Sequence, residues 1–333
     1  MTANAAALLI QHYVDNFRRL PWRSGPGEPR ANPYRVWLSE VMLQQTTVAT
    51  VTPRFERFVE RWPTIEALAA ASDDDILQEW AGLGYYARAR NLIACAREVG
   101  RLGAFPSTAA ELRQLPGIGA YTSAAIAAIA FGEKAAAVDT NVERVIARLN
   151  ALKQPARAEV EGLVLAMMPR DRPGDFVQAM MDLGATVCRV KTPRCGECPL
   201  REHCNAYASG TPKTFPERRR RAERPHRHGV AYWIERNGSV WLVRRPAKGL
   251  LGGMAALPGD EWSGAEAAPG TIGTVRHVFT HFSLDLAVVP RSEPIGEGWW
   301  QPLDRLPEAG LPTLYRRAAE LVLASRQAVR AAA

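Results

Sequence analysis

From Ala6 to about Tyr207 the apolar residues recur three and four apart, the spacing that lines one face of a helix, with Pro53, Pro63, Pro106, Pro116 and Pro169 as punctuation. This pattern predicts a compact all-helical region broken at those prolines. Between about Asn205 and Gly229 comes PKTFPERRRRAERPHRHG, rich in Pro and Arg with almost no aliphatic side chains, which predicts a linker that packs no core. Beyond it the period shortens. VAYWIER and VWLVRRP flank Asn237-Gly238, a hairpin-turn signal, and TVRHVFTHFSLDLAVV reads as a further strand. TLYRRAAELVLASRQ reads as a helix, so the second region is α+β over about 229–330, and no internal repeat is present.

At 333 residues the chain is long enough for two units that each bury a core. With 47% hydrophobic and 23% charged residues its composition is globular, and no run reaches the roughly 20 apolar residues needed to span a bilayer. The opening MTANAAALLIQHYVDNF turns polar too early for a secretory signal, so the expectation is a cytoplasmic protein with no membrane partner. A net charge of +8 favours a polyanionic partner, since each cation that neutralises a phosphate releases a counterion. The arginine run of the linker reads as phosphate-contacting or simply solvated.

Four of the five cysteines fall in Cys188-x6-Cys195-x2-Cys198-x5-Cys204, too tightly spaced for independent core thiols, while Cys95 stands alone. In a reducing compartment this implies a metal centre, either a zinc tetrathiolate or a [4Fe–4S] cluster. Arg189, Lys191, Arg194 and Arg201 lie between the ligands and suit phosphate contact. Upstream, Leu115-Pro116-Gly117-Ile118-Gly119 precedes YTSAAIAAIAF, where Gly117 and Gly119 permit a tight turn that bares amides at a helix N-terminus. Twenty residues beyond Gly119, Asp139 reads on its own as a helix cap. Glu40 sits in the apolar stretch WLSEVMLQQT, where it is either a surface glutamate or a desolvated acid with a raised pKa.

The LPGIG hairpin and, after it, the thiol spacing resemble the endonuclease III and MutY superfamily of DNA glycosylases. WLSEVMLQQT and Leu83–Asn91 (LGYYARARN) are similar to MutY-type adenine glycosylases in particular. The resemblance covers nearly the whole chain. It implies an all-α helix-hairpin-helix glycosylase domain with a [4Fe–4S] loop, plus an α+β Nudix-like C-terminal domain. The expected boundaries are 1–187 for the glycosylase domain, 188–204 for the cluster loop, 205–228 for the basic linker and 229–333 for the lesion-recognition domain.

Residue by residue, the resemblance implies that Glu40 protonates N7 of adenine and then assists water attack. Asp139 would stabilise the oxocarbenium-like sugar, with Tyr121 and Asn141 in the same catalytic group. Bifunctional members carry a nucleophilic lysine where this chain has Tyr121, and a phenol is a poor substitute, so a monofunctional reaction is expected. Tyr121 either hydrogen-bonds near Asp139 or lines the pocket. Cys188, Cys195, Cys198 and Cys204 would hold the cluster. The DNA-binding set comprises Gln44, Gln45, Tyr85, Arg88, Arg90, Gly117, Gly119 and Lys191, with Gln45 and Tyr85 wedged beside the base opposite adenine and Arg88 and Arg90 on the backbone.

Arg245-Pro246, Gly249–Met254 and Leu257-Pro258-Gly259 look like the Nudix-related C-terminal domain of that family, but no REUxEExGU magnesium helix is present, with U an aliphatic residue. That domain is expected to bind without hydrolysing, with Phe279, Thr280 and His281 contacting 8-oxoguanine. Thr280 replaces the usual Ser, Thr140 a common Gly, and Ala255-Ala256 a common Trp-Glu. The implied partner is duplex DNA with adenine opposite 8-oxoguanine or guanine, bound by a monomer at the nucleoid. An endonuclease III-like lyase for oxidised pyrimidines is disfavoured by Tyr121 and the long second domain. A non-catalytic iron–sulfur DNA-binding protein is disfavoured by Glu40 and Asp139 in matching motifs.

Overall fold

The computed structural model describes residues 2–80, 82–217, 224–246, 249–262, 270–279 and 281–332, with side chains between 4 and 326. The chain divides into two compact units, 1–219 and 220–333. Among the described residues no helix is long and apolar enough to cross a membrane.

The first unit is helical throughout: α1 (Thr2–Asp15), α2 (Pro33–Leu43), α3 (Val48–Arg61), α4 (Ile65–Ala70), α5 (Asp73–Trp80) and α6 (Tyr86–Leu102) form its first half. The second half comprises α7 (Ala109–Leu112), α8 (Ala120–Ile126), α9 (Thr140–Leu149), α10 (Arg157–Met167), α11 (Pro173–Asp182) and α12 (Asn205–Ala208). Trp37, Phe55, Phe58, Trp80 and Phe176 are fully buried and anchor one continuous core. Phe58 meets Trp62 and Trp80 edge-on, at 5.0 and 6.1 Å between ring centres, the arrangement aromatic quadrupoles favour. Contrary to the expected break, Pro53 lies inside α3, on its exposed face. Val51, Phe55 and Phe58 are buried around it, and their packing holds the helix through the missing hydrogen bond.

Two helices widen into π turns. α8 continues as Ala127–Phe131 and α11 as Leu183–Val187. Such turns displace side chains from the regular helical track and concentrate at functional sites.

The expected linker needs correction. Residues 205–217 belong to the first unit: Ala206 is fully buried, the Glu217 amide donates to the Lys153 carbonyl at 2.7 Å, and the Phe215 carbonyl accepts from Arg148 Nε at 3.0 Å. Arg148 is buried and needs those carbonyls, which ties down a segment its composition marks as loose. Arg218 to Arg221 lie outside the described residues.

In the second unit β1 (His226–Arg236) begins three residues before the expected boundary. With β2 (Ser239–Arg244), β3 (Ala255–Ala256), β4 (Gly273–Val278), β5 (Ser283–Arg291) and β6 (Gly298–Pro302) it builds a mixed sheet in the order β3-β2-β1-β5-β4, with β6 also on β2. β1 and β5 run parallel and the remaining pairs antiparallel. Asn237 and Gly238 take φ of 48° and 72°, the left-handed pair that a two-residue hairpin requires. The segment read as a single strand is in fact β4, a turn and β5, closed by the Phe279 amide donating to the Phe282 carbonyl at 2.8 Å. Ala255 and Ala256 form the two-residue β3 and are both buried. α13 (Thr313–Ala332) buries Leu314, Tyr315, Ala318, Ala319 and Val322, an apolar stripe laid against the sheet.

Candidate active site

α2 starts cleanly because Asn32 accepts from the Tyr34 amide at 2.9 Å and Pro33 presets the first turn. From Tyr34 to Met42 every residue except Arg35 is buried, so the helix is enclosed on nearly all sides. Glu40 is therefore carried into the interior and is only 8% exposed. It faces a cleft of about 680 Å3, lined also by Asp139, Tyr121, Asn141, Gln44, Gln45, Arg18, Arg23 and Asp182. That space suits a nucleoside-sized ligand. The two acids that the sequence places about a hundred residues apart thus line one cleft.

Burial pushes the Glu40 carboxyl up to about 7, with Asp139 adding to the rise and Tyr121 and Arg23 working against it. The Tyr121 phenol is driven well above its ordinary range, first by burial and then by the Glu40 and Asp139 charges. Its hydroxyl reaches Met181 Sδ at 3.7 Å as well as interacting with Glu40. Tyr121 thus lines the pocket as expected, but its acid partner is Glu40, with Asp139 acting on it only through charge, and it stays a neutral phenol there.

Asp139 is a helix cap and a cleft residue at once. Its Oδ1 accepts from the amides of Asn141 (2.9 Å) and Val142 (2.7 Å) at the start of α9, and its Oδ2 accepts from Asn141 Nδ2 at 2.8 Å. These three donors fix the carboxylate in orientation. Asn141 in turn accepts from Arg144 (2.9 Å), and the buried Arg144 also donates to the carbonyls of Gly184 and Cys188, each at 2.8 Å. The cap is thereby tied to the cysteine loop through two side chains.

Cys188, Cys195, Cys198 and Cys204 line one small apolar cavity together with Arg148. Arg148 donates to Cys188 Sγ at 3.3 Å, and burial pushes the Cys198 thiol up to about 12, unfavourable for a thiolate without a bound cation. Four thiols converging on one apolar cavity are the donor set of a tetrathiolate metal site. Of the loop cations expected to meet phosphate, Arg189 and Arg194 donate to the Thr186 carbonyl, and Arg194 and Arg201 pair with Glu197 and Glu202. Lys191 is exposed, and among the described residues it forms no ion pair.

A second cavity, of about 230 Å3, lies against the first and shares Gln44 and Gln45 with it; Tyr85, Asn91, Pro116 and Gly117 also line it. Gln45 (φ 57°) and Tyr85 (φ 51°) both hold left-handed backbone, and Tyr85 is 56% exposed. Strain of this kind in non-glycine residues gathers where function demands a particular side-chain aim. Gly117 (φ 73°) has no room for a methyl, because a Cβ would come within 2.6 Å of Asn91 Cβ. Gly119 caps α8 with ordinary backbone and open space before it, as a phosphate would need.

Arg88 does not take the role expected of it. It is 7% exposed and donates to the carbonyls of Met42, Gln44 and Leu83, so it clamps the turn after α2 and is sequestered from any phosphate. Its guanidinium lies 5.0 Å from the Trp80 ring centre. Arg90 is half-buried. Phe279 stacks on Trp262, with ring centres 5.5 Å apart and planes at 19°, His281 is exposed, and Thr280 lies outside the described residues.

Sequence reasoning missed one part of the cleft. Arg23 grips Asp182 through two bonds of 2.6 and 3.0 Å, and Arg18 adds a third at 3.0 Å. Nothing in the sequence links these positions, which lie about 160 residues apart.

Residues 38–169 match the family described as HhH-GPD superfamily base excision DNA repair protein, and residues 229–321 match the NUDIX domain. The adenine DNA glycosylase of Homo sapiens is 35% identical over 84% of this chain, and this chain spans 65% of its length. That of Mus musculus is 32% identical over 97% of this chain and 78% of its own length. Among solved structures, an endonuclease III trapped as a covalent intermediate with DNA superposes with a TM-score of 0.52 at 27% identity, over 62% of this chain and 95% of that one. A buried acid and a capping carboxylate on one cleft, a glycine hairpin, a four-thiol loop and a Nudix-like sheet occur here in one chain whose sequence lacks the Nudix magnesium motif, and with the match to the mouse protein they show that it belongs to the adenine DNA glycosylase family.

Proposed function

We propose that this chain removes adenine opposite 8-oxoguanine or guanine from duplex DNA without cutting the strand, as a monomer acting on the nucleoid in the cytoplasm. The observation that carries this reading is the shared cleft of Glu40 and Asp139. Turning the adenosine out of the stack costs a few kcal/mol, and Gln45 and Tyr85 stand at the adjoining cavity to fill the gap it leaves. With its carboxyl near 7, Glu40 carries a proton for N7 of the leaving base at neutral pH. Asp139, held by three N–H donors, faces the sugar as positive charge develops there. Glu40, now ionised, then takes a proton from the attacking water.

No lysine lines the cleft among the described residues, so no amine is at hand for a Schiff base. Cys188, Cys195, Cys198 and Cys204 would hold a [4Fe–4S] cluster. When bound it supplies a rigid cross-link for the loop, which sets Cys188 and through it Arg144 and Asn141. In the second unit His281, beside the Phe279 stack, is the exposed group offered to the opposite base.

Duplexes carrying adenine opposite 8-oxoguanine, adenine opposite guanine, or thymine glycol test the proposal. Strand breaks should appear on the two adenine substrates only after alkali. Breaks without alkali, or a borohydride-trapped adduct, would overturn it.

A further inference from the structure

In the second unit, β1 and β5 run parallel with His226 beside Ser283 and His228 beside Asp285. Side chains two apart on a strand share a face, so both histidines, Ser283 and Asp285 stand on one side of the sheet. The buried Leu284 and Leu286 point to the other side, which is packed as core. One nitrogen from each histidine and one Asp285 oxygen lie within 4.8 Å of one another.

Three details suit this cluster to an ion. His226 Nε2 is 3.2 Å from Asp285 Oδ2, close to the edge of about 3.4 Å that a tetrahedron with 2.0–2.2 Å bonds requires. His226 Nδ1 lies 2.8 Å from Ser283 Oγ, the outer-shell partner that directs the other ring nitrogen to a metal. Asp285 Oδ1 is shielded from solvent and accepts no hydrogen bond. Arg276 Nε lies 3.9 Å from that oxygen, on an exposed side chain that an incoming ion can displace.

We propose that His226, His228 and Asp285 form a zinc site with an open fourth position, which clamps the start of β1 to β5 next to the turn bearing Phe279 and His281. Two imidazoles and one carboxylate are a borderline donor set, matched to zinc before magnesium or calcium. The site is separate from the thiol loop and from adenine excision, and its test does not depend on either.

The full chain, with its iron measured and adventitious metal removed by EDTA, is titrated with Zn2+ and with Co2+. One zinc per chain should be retained through gel filtration beyond the iron. Co2+ should give visible d–d bands without a near-ultraviolet thiolate charge-transfer band. His226→Gln with His228→Gln should abolish both signals, and Asp285→Asn should weaken zinc at least about tenfold. His226→Gln alone, at an exposed position, serves if the double variant misfolds. Zinc should also raise the melting temperature of the native chain and leave that of the variant unchanged. Undiminished zinc in the histidine variants, a thiolate band with cobalt, or no retained zinc would each overturn the proposal.

Discussion

Replacing Glu40 by Gln tests the acid through stability as well as through rate. The carboxyl rises from an ordinary 4.5 to about 7 on folding, chiefly because burial disfavours its charge. The folded chain therefore holds this proton to higher pH than the unfolded one. The destabilisation is negligible below about pH 4.5, grows as pH rises from there to 7, and is complete above 7. At 1.36 kcal/mol per pH unit, the native chain loses about 2–3 kcal/mol between pH 5 and pH 8, a loss the amide does not share. The melting temperature of Glu40→Gln relative to the native chain should climb by roughly 5–10 °C across that window. The single-turnover rate of adenine release in the native chain should fall about tenfold per pH unit above 7, and the variant should be down by about 10²–10⁴. Paired melts at pH 5 and 8 with quenched, alkali-treated time courses read both effects. A melting gap that does not change with pH, or a variant that still excises, would refute the reasoning.

Gly117→Ala should cost about 1–2 kcal/mol from its left-handed backbone, with the Asn91 clash added, whereas Gly119→Ala should melt normally and lose duplex affinity by fluorescence anisotropy. Gln45→Gly should relieve about 1–2 kcal/mol of strain at its φ of 57° and lose about 0.4–1 of it to glycine's freedom in the unfolded chain, a net gain of about 0.5–1 kcal/mol in denaturant titration, while it shortens the lifetime of the mispair complex. Arg144→Met leaves the Cys188 and Gly184 carbonyls and Asn141 Oδ1 without their donor, so stability should fall by roughly 3 kcal/mol and the iron-to-protein ratio should drop.

The parts of this molecule legible in its sequence are those written in local chemistry. Four thiols in 17 residues, two glycines in a turn, and an acid within an apolar helix each carry their meaning in a short window. Arg88 was misread because its fate depends on distant carbonyls, those of Met42 and Gln44, which no window around it contains. The β4–β5 turn is hard to read because apolar residues continue on both sides of it and no glycine or proline interrupts; its one mark is the three-residue step from Phe279 to Phe282, which breaks the period of two. Asp139 could be read as a cap or as a catalytic group, and the structure shows a cap whose carboxylate also lines the cleft, since capping is what fixes its orientation.

The clamp of Arg18 and Arg23 on Asp182 has a bearing on how the molecule is born. These contacts span 164 and 159 positions, and α1 itself rests on α11. A nascent chain emerging from the ribosome cannot complete this cleft until residue 182 has cleared the exit tunnel. Until then the first helix waits with Leu9, Ile10 and Tyr13 uncovered, an invitation to a chaperone. Cys188 to Cys204 follow directly, so the cleft and the four-thiol cavity are completed nearly together, once most of the first unit has been made.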